Sequence, residues 1–208
     1  SMRTTAVCNE FRIETLGEGR FPSPLSGPSI VDDANGLLVD ATVNLGASEA
    51  TAELMELAGP RPTLFFDPAK VRAGIVTCGG LCPGLNDVVR AITMILWYRY
   101  GVREILGLRY GYEGLVESYG HPPLTLTPER VEDIHQDGGT ILGSSRGNQE
   151  PAAMVDYLQA HGINMLFTIG GDGTQRGAYC IVEEAKKRGL AIAVVGVPKT
   201  IDNDISFT

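Results

Sequence analysis

Long apolar runs are missing from this sequence. No stretch reaches the roughly 18 residues that a membrane-spanning helix requires, and the opening SMRTTAVCNEFRIE has no apolar core of the kind a secretory signal carries. These absences predict no membrane partner, and Ser1 ahead of Met2 reads as a tag remnant. Basic charge is scarce as well: 17 Lys and Arg stand against 25 Asp and Glu, a formal net charge of −8. That balance excludes a general binder of nucleic acid or of polyanionic surfaces, although an acidic protein can hold phosphates wherever its positive groups are local. Cysteine is rare. Cys8, Cys78, Cys82 and Cys180 fit neither a disulfide framework nor a zinc site, because Cys78 and Cys82 lack a second ligand pair. They are expected as reduced thiols in a cytoplasmic compartment. The three histidines, His121, His135 and His161, precede prolines or sit near helix ends, and are expected to be structural.

What is present suffices for a core: 43% of residues are hydrophobic and the mean hydropathy is +0.03. A length of 208 residues suits one domain with an appendage, or the front of something larger. Residues 1–66 read as an N-terminal arm. RFPSPLSGPS is rich in Pro, Ser and Gly, and SEATAELMELAG predicts a helix capped by Ser48, with Glu49 near its start and Gly59 at its end.

From Phe66 the pattern becomes regular. AGIVTC (73–78) predicts a buried strand, 84–98 a helix, REILGLR a strand, and TPERVEDIHQ a helix start capped by Thr127. EPAAMVDYLQAHG predicts a helix closed by Gly162, NMLFTIG a strand, TQRGAYCIVEEAKKRG a helix and AIAVVGVP a strand. Strands alternating with helices predict an α/β fold with a parallel sheet, a Rossmann-like three-layer domain over 67–208 with right-handed crossovers. GGLCPGLN, GYEGL, GGDGT and GVPKTIDND each follow a strand, and open α/β sheets bind ligands at that end.

Each loop carries its own chemistry. In TCGGLCPGLND, Gly79 and Gly80 let main-chain N–H groups approach an anion ahead of a helix start; a tight turn with no ligand reads equally well. GGTILGSSRG offers Arg146 among Ser144, Ser145 and Gly147, a guanidinium able to bridge two phosphoryl oxygens, or a loop arginine paired with a surface acid. GGDGT places Asp172 alone among glycines, where it can hold Mg²⁺ directly or through water, or stand solvated in a glycine-rich turn. PKTIDND gathers Lys199, Thr200, Asp202 and Asp204, and reads either as a catalytic segment or as an Asp/Asn-rich turn with Asx hydrogen bonds. Asp202 is the candidate to take a proton from a hydroxyl nucleophile, Thr200 can hydrogen-bond the same substrate, and Lys199 can neutralise a transferred phosphate.

Together GGTILGSSRG, GGDGTQRGA and GVPKTIDNDISF, in this order, resemble the 6-phosphofructokinase family over about 66–208. NAD kinases and diacylglycerol kinases share only strings of the GGDGT type. The resemblance implies transfer of the terminal phosphoryl of MgATP to the 1-hydroxyl of fructose 6-phosphate, with Asp202 as general base, Thr200 as a substrate contact and Asp204 beside them. It makes Asp172 the magnesium-associated carboxylate and Arg146 a bridge along the phosphates. Gly80, Gly147, Gly171, Gly173, Thr174 and Gly177 become the nucleotide cradle.

Two positions bear on the donor. Gly173 resembles ATP users, because pyrophosphate users put a second aspartate there, whereas Lys199 resembles pyrophosphate users. One ATP-dependent branch combines this glycine with this lysine, and ATP is the expected donor. A homotetramer, and a compartment either cytoplasmic or an organelle such as a glycosome, are further implications. The family's sugar-phosphate half has no counterpart before Thr208. This chain is therefore expected to act as the nucleotide half, with weak nucleotide binding and little turnover by itself.

Overall fold

The computed structural model describes residues 13–28, 30–38 and 54–205. These divide into two compact units, with the boundary between Phe65 and Phe66.

The first unit holds two short antiparallel ribbons. β1 (Phe21–Pro22) pairs with β4 (Thr63–Leu64), and β2 (Gly36–Leu38) pairs with β3 (Leu54–Glu56). Arg61 fastens the second ribbon by donating to the carbonyls of Gly59 and Leu57 and pairing with Glu56 and Asp33. The helix expected from Ser48 to Gly59 is corrected where it is described, because Leu54–Glu56 is a strand. Leu54, Met55 and Glu56 face Leu38, Leu37 and Gly36, and ladder bonds to a partner override the weak helix preference of so short a run. Ser48 and Glu49 lie outside the described residues, as does Cys8.

In the second unit a five-stranded sheet runs in the order β7-β6-β5-β8-β9. Its members are β5 (Arg72–Thr77), β6 (Glu104–Leu108), β7 (Leu124–Thr125), β8 (Met165–Gly170) and β9 (Ala193–Pro198). β6, β5, β8 and β9 are parallel, and the two-residue β7 adds an antiparallel edge that hydropathy did not predict. The helices are α1 (Leu85–Tyr100), α2 (Pro128–Val131), α3 (Pro151–Ala160) and α4 (Asp172–Lys187). TPERVEDIHQ begins as expected, with the Thr127 hydroxyl accepting from the Arg130 N–H, but yields only the single turn of α2 before a 3₁₀ turn at Ile134–Gln136.

Alternation along the central strand explains the layering. Ala73 and Ile75 point to one face, where they meet Leu85, Val89 and Leu96 of α1 and Val131 of α2. Val76 points to the other, among Met154, Val155 and Leu158 of α3 and Ile181 and Ala185 of α4. The result is three layers, helix–sheet–helix. At Gly74 an added Cβ would come within 3.2–3.3 Å of Leu108, Leu166 and Ile163, so the layers close tightly over that point. Parallel strands carry all their following loops to one sheet edge, and the site forms there.

Candidate nucleotide-phosphate site

The carboxyl ends of β5, β6, β8 and β9 open onto a cleft of about 230 Å³. Gly79, Gly80, Arg146, Gly147, Asp172, Gly173, Thr174 and Lys199 are among its lining residues.

Four segments build it. Leaving β5, the chain turns through Gly79 at φ +79°, and the Gly79 N–H donates to the Ser145 carbonyl at 3.0 Å while Ser144 Oγ donates to the Gly79 carbonyl at 2.6 Å. These two bonds bring the arginine-bearing loop alongside the glycine turn. A Cβ on Gly80 would lie 3.5 Å from Arg146 Nη2 and 2.7 Å from Ile201 Cδ1. The guanidinium and the 200–204 segment therefore both approach Gly80 closely.

The third segment is the β8–α4 junction. Gly171 caps α4 with extended backbone, and Asp172, Gly173 and Thr174 form its first turn. At this end of a 16-residue helix the Thr174 N–H donates to the Gly171 carbonyl at 2.9 Å, the N–H groups ahead of it have no partner within the helix, and the dipole favours an anion. An added Cβ on Gly173 would find no atom within 4 Å, so the chain itself leaves that space open. The fourth segment follows β9: the Lys199 N–H donates to the Gly170 carbonyl at 3.0 Å, and Gln175 Nε2 reaches the carbonyls of Gly170 at 2.9 Å and Val197 at 3.3 Å. One glutamine side chain thus clamps the ends of β8 and β9 beneath the helix start.

Among the described residues neither Arg146 nor Lys199 forms an ion pair. Two unneutralised cations and one carboxylate in the lining suit an anion that brings further negative charge. The alternative of Arg146 paired with a surface acid is not what forms.

The structure also separates residues that the sequence grouped. Thr200, Asp202, Asp204 and Gly177 are outside the cleft lining. Thr200 donates its hydroxyl to the Asp204 carboxylate and accepts the Asp204 N–H at 3.2 Å, while Asp202 is exposed in the adjoining turn. Gly177 serves packing: a Cβ there would stand 2.4 Å from Cε2 of Tyr112.

Tyr112, Cys78 and Asn148 line the cleft without having been singled out. Tyr112 comes from the 3₁₀ turn Gly111–Leu115 after β6, the GYEGL loop. Burial pushes its hydroxyl well above the usual phenol range. Burial also pushes the Cys78 thiol up to about 12, against smaller opposing pulls from Tyr112, Thr174 and the Lys199 charge. A tyrosine between glycines directly after a strand was the available signal for Tyr112; Asn148 offered none.

A family model described as Phosphofructokinase matches residues 72–208. The chain belongs to the phosphofructokinase family. It is 48% identical over 206 residues to the ATP-dependent 6-phosphofructokinase of Borreliella burgdorferi, covering 95% of this chain and 46% of that protein. It is 56% identical over 155 residues to the ATP-dependent 6-phosphofructokinase of Trypanosoma brucei brucei, covering 74% and 32%. Among solved structures it superposes on a Marinobacter aquaeolei pyrophosphate-dependent phosphofructokinase with a TM-score of 0.60 at 24% identity, over 66% of this chain and 36% of that one. That likeness is one of fold alone. A Pichia pastoris phosphofructokinase in the T-state gives a TM-score of 0.59 at 25% identity, over 76% of this chain and 18% of that one. The chain spans less than half the length of the curated relatives it matches. No helix among the described residues is long and apolar enough to cross a membrane.

Proposed function

We propose that this chain is the nucleotide half of an ATP-dependent 6-phosphofructokinase. The observation that carries the reading is the convergence of Gly79–Gly80, Ser145–Arg146, Asp172–Gly173–Thr174 and Lys199 on one cleft at the sheet's carboxyl edge. Relatives named as ATP-dependent enzymes support the donor, as does the open space over Gly173.

The first turn of α4 and the glycine turn bind phosphate oxygens through main-chain N–H groups, and Arg146 bridges along the phosphates. Among the described residues no three His, Cys, Asp or Glu side chains form a metal cage. A single exposed carboxylate at the cleft therefore fits magnesium, which is usually held by one or two carboxylates together with phosphates and water. Asp172 would hold that ion, which neutralises charge on the phosphoryl oxygens when bound.

At the acceptor, the fructose 6-phosphate 1-hydroxyl gives its proton to the Asp202 carboxylate as its oxygen attacks the terminal phosphorus. The new O–P bond forms while the bond to the bridging oxygen breaks, and ADP leaves with that electron pair. Asp204, bonded to the Thr200 hydroxyl, orients it toward the sugar, and Lys199 offsets charge on the group in transfer. The complete protein is proposed as a cytoplasmic or organellar homotetramer on the family resemblance.

Coupled assays of the complete protein with fructose 6-phosphate and either MgATP or magnesium pyrophosphate test the reading. Turnover with MgATP, abolished in Asp172→Ala, is expected. Turnover with pyrophosphate alone would hand the donor assignment to Lys199, which lines the same cleft. Nucleotide binding with no turnover would leave a non-catalytic nucleotide-binding domain.

A further inference from the structure

We propose that Asn86 is a positioning residue for Arg146, its buried carboxamide holding the 138–147 loop in the shape that presents the guanidinium to the phosphoryl donor. The inference rests on the phosphate-site reading and adds to it a residue that lies outside the cleft lining.

Asn86 is the second residue of α1 and is 2% exposed. Its Nδ2 donates to the Asp137 carbonyl at 3.1 Å, and its Oδ1 accepts the Ile141 N–H at 2.9 Å. The two partners flank Gly138-Gly139-Thr140, so one side chain clasps both ends of a turn that contains two glycines. Next along the chain, the fully buried Thr77 takes over. Its hydroxyl donates to the Gly143 carbonyl at 2.8 Å, and its Oγ1 lies 2.9 Å from Thr140 Oγ1. With the single Thr77 proton directed to Gly143, Thr140 is the donor in that second pair. Beyond Gly143, the bonds between Ser144–Ser145 and Gly79 complete the fastening, and Arg146 follows at once. The loop is therefore held at successive points, and its one exposed cation emerges immediately after the last of them.

An amide is what this position requires. The partners are one carbonyl and one N–H, which only a side chain with both a donor and an acceptor can satisfy together. A carboxylate would set oxygen lone pairs against the Asp137 carbonyl, and an apolar group would leave two main-chain groups unpartnered beside a buried helix start. A guanidinium displaced by an ångström loses alignment with phosphoryl oxygens, an effect on the order of 100-fold in rate at reacting centres.

A double-mutant cycle in the complete protein tests this, reading kcat/KM for MgATP alongside thermal melting. Asn86→Ala is expected to lower kcat/KM about 10- to 100-fold where Arg146 is present. In an Arg146→Ala background the same change is expected to act within about 2-fold, because the loss runs through the guanidinium. Equal losses in the two backgrounds would show that Asn86 only stabilises the fold, and would overturn the proposal alone. If Asn86→Ala melts below the assay temperature, the cycle is read on Asn86→Ser, whose short hydroxyl cannot span both partners, with the same two outcomes. A wild-type protein without MgATP turnover, or one indifferent to Arg146→Ala, would overturn the phosphate-site reading and this proposal together.

Discussion

The Tyr112 hydroxyl donates to the main-chain carbonyl of Thr174 across 2.6 Å, tying the turn after β6 to the first turn of α4. Both residues are buried and both line the cleft. Removing the hydroxyl with Tyr112→Phe keeps the ring in place and is expected to cost about 1 kcal/mol of stability, the usual net worth of such a bond. It is also expected to weaken MgATP binding, because the proposed function places the phosphates against that helix turn. Denaturant midpoints and calorimetric titration measure the two effects separately. An unchanged affinity would confine Tyr112 to a packing role.

Gly177 has room for a hydrogen and no more, since a Cβ would meet Tyr112 Cε2 at 2.4 Å. Gly177→Ala is therefore expected to destabilise by about 1–3 kcal/mol through overpacking. Combined with Tyr112→Ala, which removes the ring, the alanine should cost clearly less than it does alone. Strict additivity in that cycle would show that the two residues do not collide.

Gly173 is the contrasting glycine. Nothing lies within 4 Å of its missing Cβ, so Gly173→Asp is expected to leave the melting temperature nearly unchanged. Under the proposed function the new carboxylate would occupy space beside the first turn of α4 and repel nucleotide, lowering kcat/KM for MgATP at least about 100-fold. Undiminished ATP kinetics would sink the donor assignment.

High pH should weaken the fold through the cleft wall. Burial holds the Cys78 thiol at about 12, above its ordinary value of 9.0, and moves Tyr112 in the same direction. The unfolded chain releases the thiol proton from about pH 9, whereas the native state keeps it until about 12. This contribution is intact below pH 9 and declines as pH rises across that window, by about 1.4 kcal/mol per unit for one group. Denaturant unfolding from pH 8 to 10.5 should show the decline, and Cys78→Ala should reduce its slope. At neutral pH an alkylating reagent should label exposed Cys180 well before buried Cys78.

Asp202→Asn separates chemistry from binding. The side chain is exposed and outside the cleft lining, so stability and MgATP affinity should hold. Turnover should fall about 10²- to 10⁴-fold, the usual contribution of a general base. Retention of turnover would move the base to another residue, with Asp204 the nearest candidate through its contact with Thr200.

Much of the second unit could be read from residue order because its signals are local. Apolar runs such as AGIVTC and NMLFTIG sit where β5 and β8 form, and the closing glycine of α3, Gly162, has φ +65°. The glycine-rich loops marked the cleft for the same reason, since close main-chain approach leaves its trace in composition. The arm was less legible. LMELAG has helical character, yet Leu54–Glu56 is a strand because Gly36–Leu38 lies beside it, and that partner is 18 residues distant in the chain.

By itself, then, the sequence determined the alternation of strands and helices and the chemical character of each loop, since both arise from neighbouring residues. Only the tertiary structure decided which side chains meet. Tyr112 reaches Thr174 across 62 residues, and Asn86 reaches Ile141 across 55. It also assigned Gly177 to packing and Gly173 to open space, although both belong to one glycine-rich string. A glycine's task depends on what stands opposite its missing side chain, and that is settled by the crossing of distant elements.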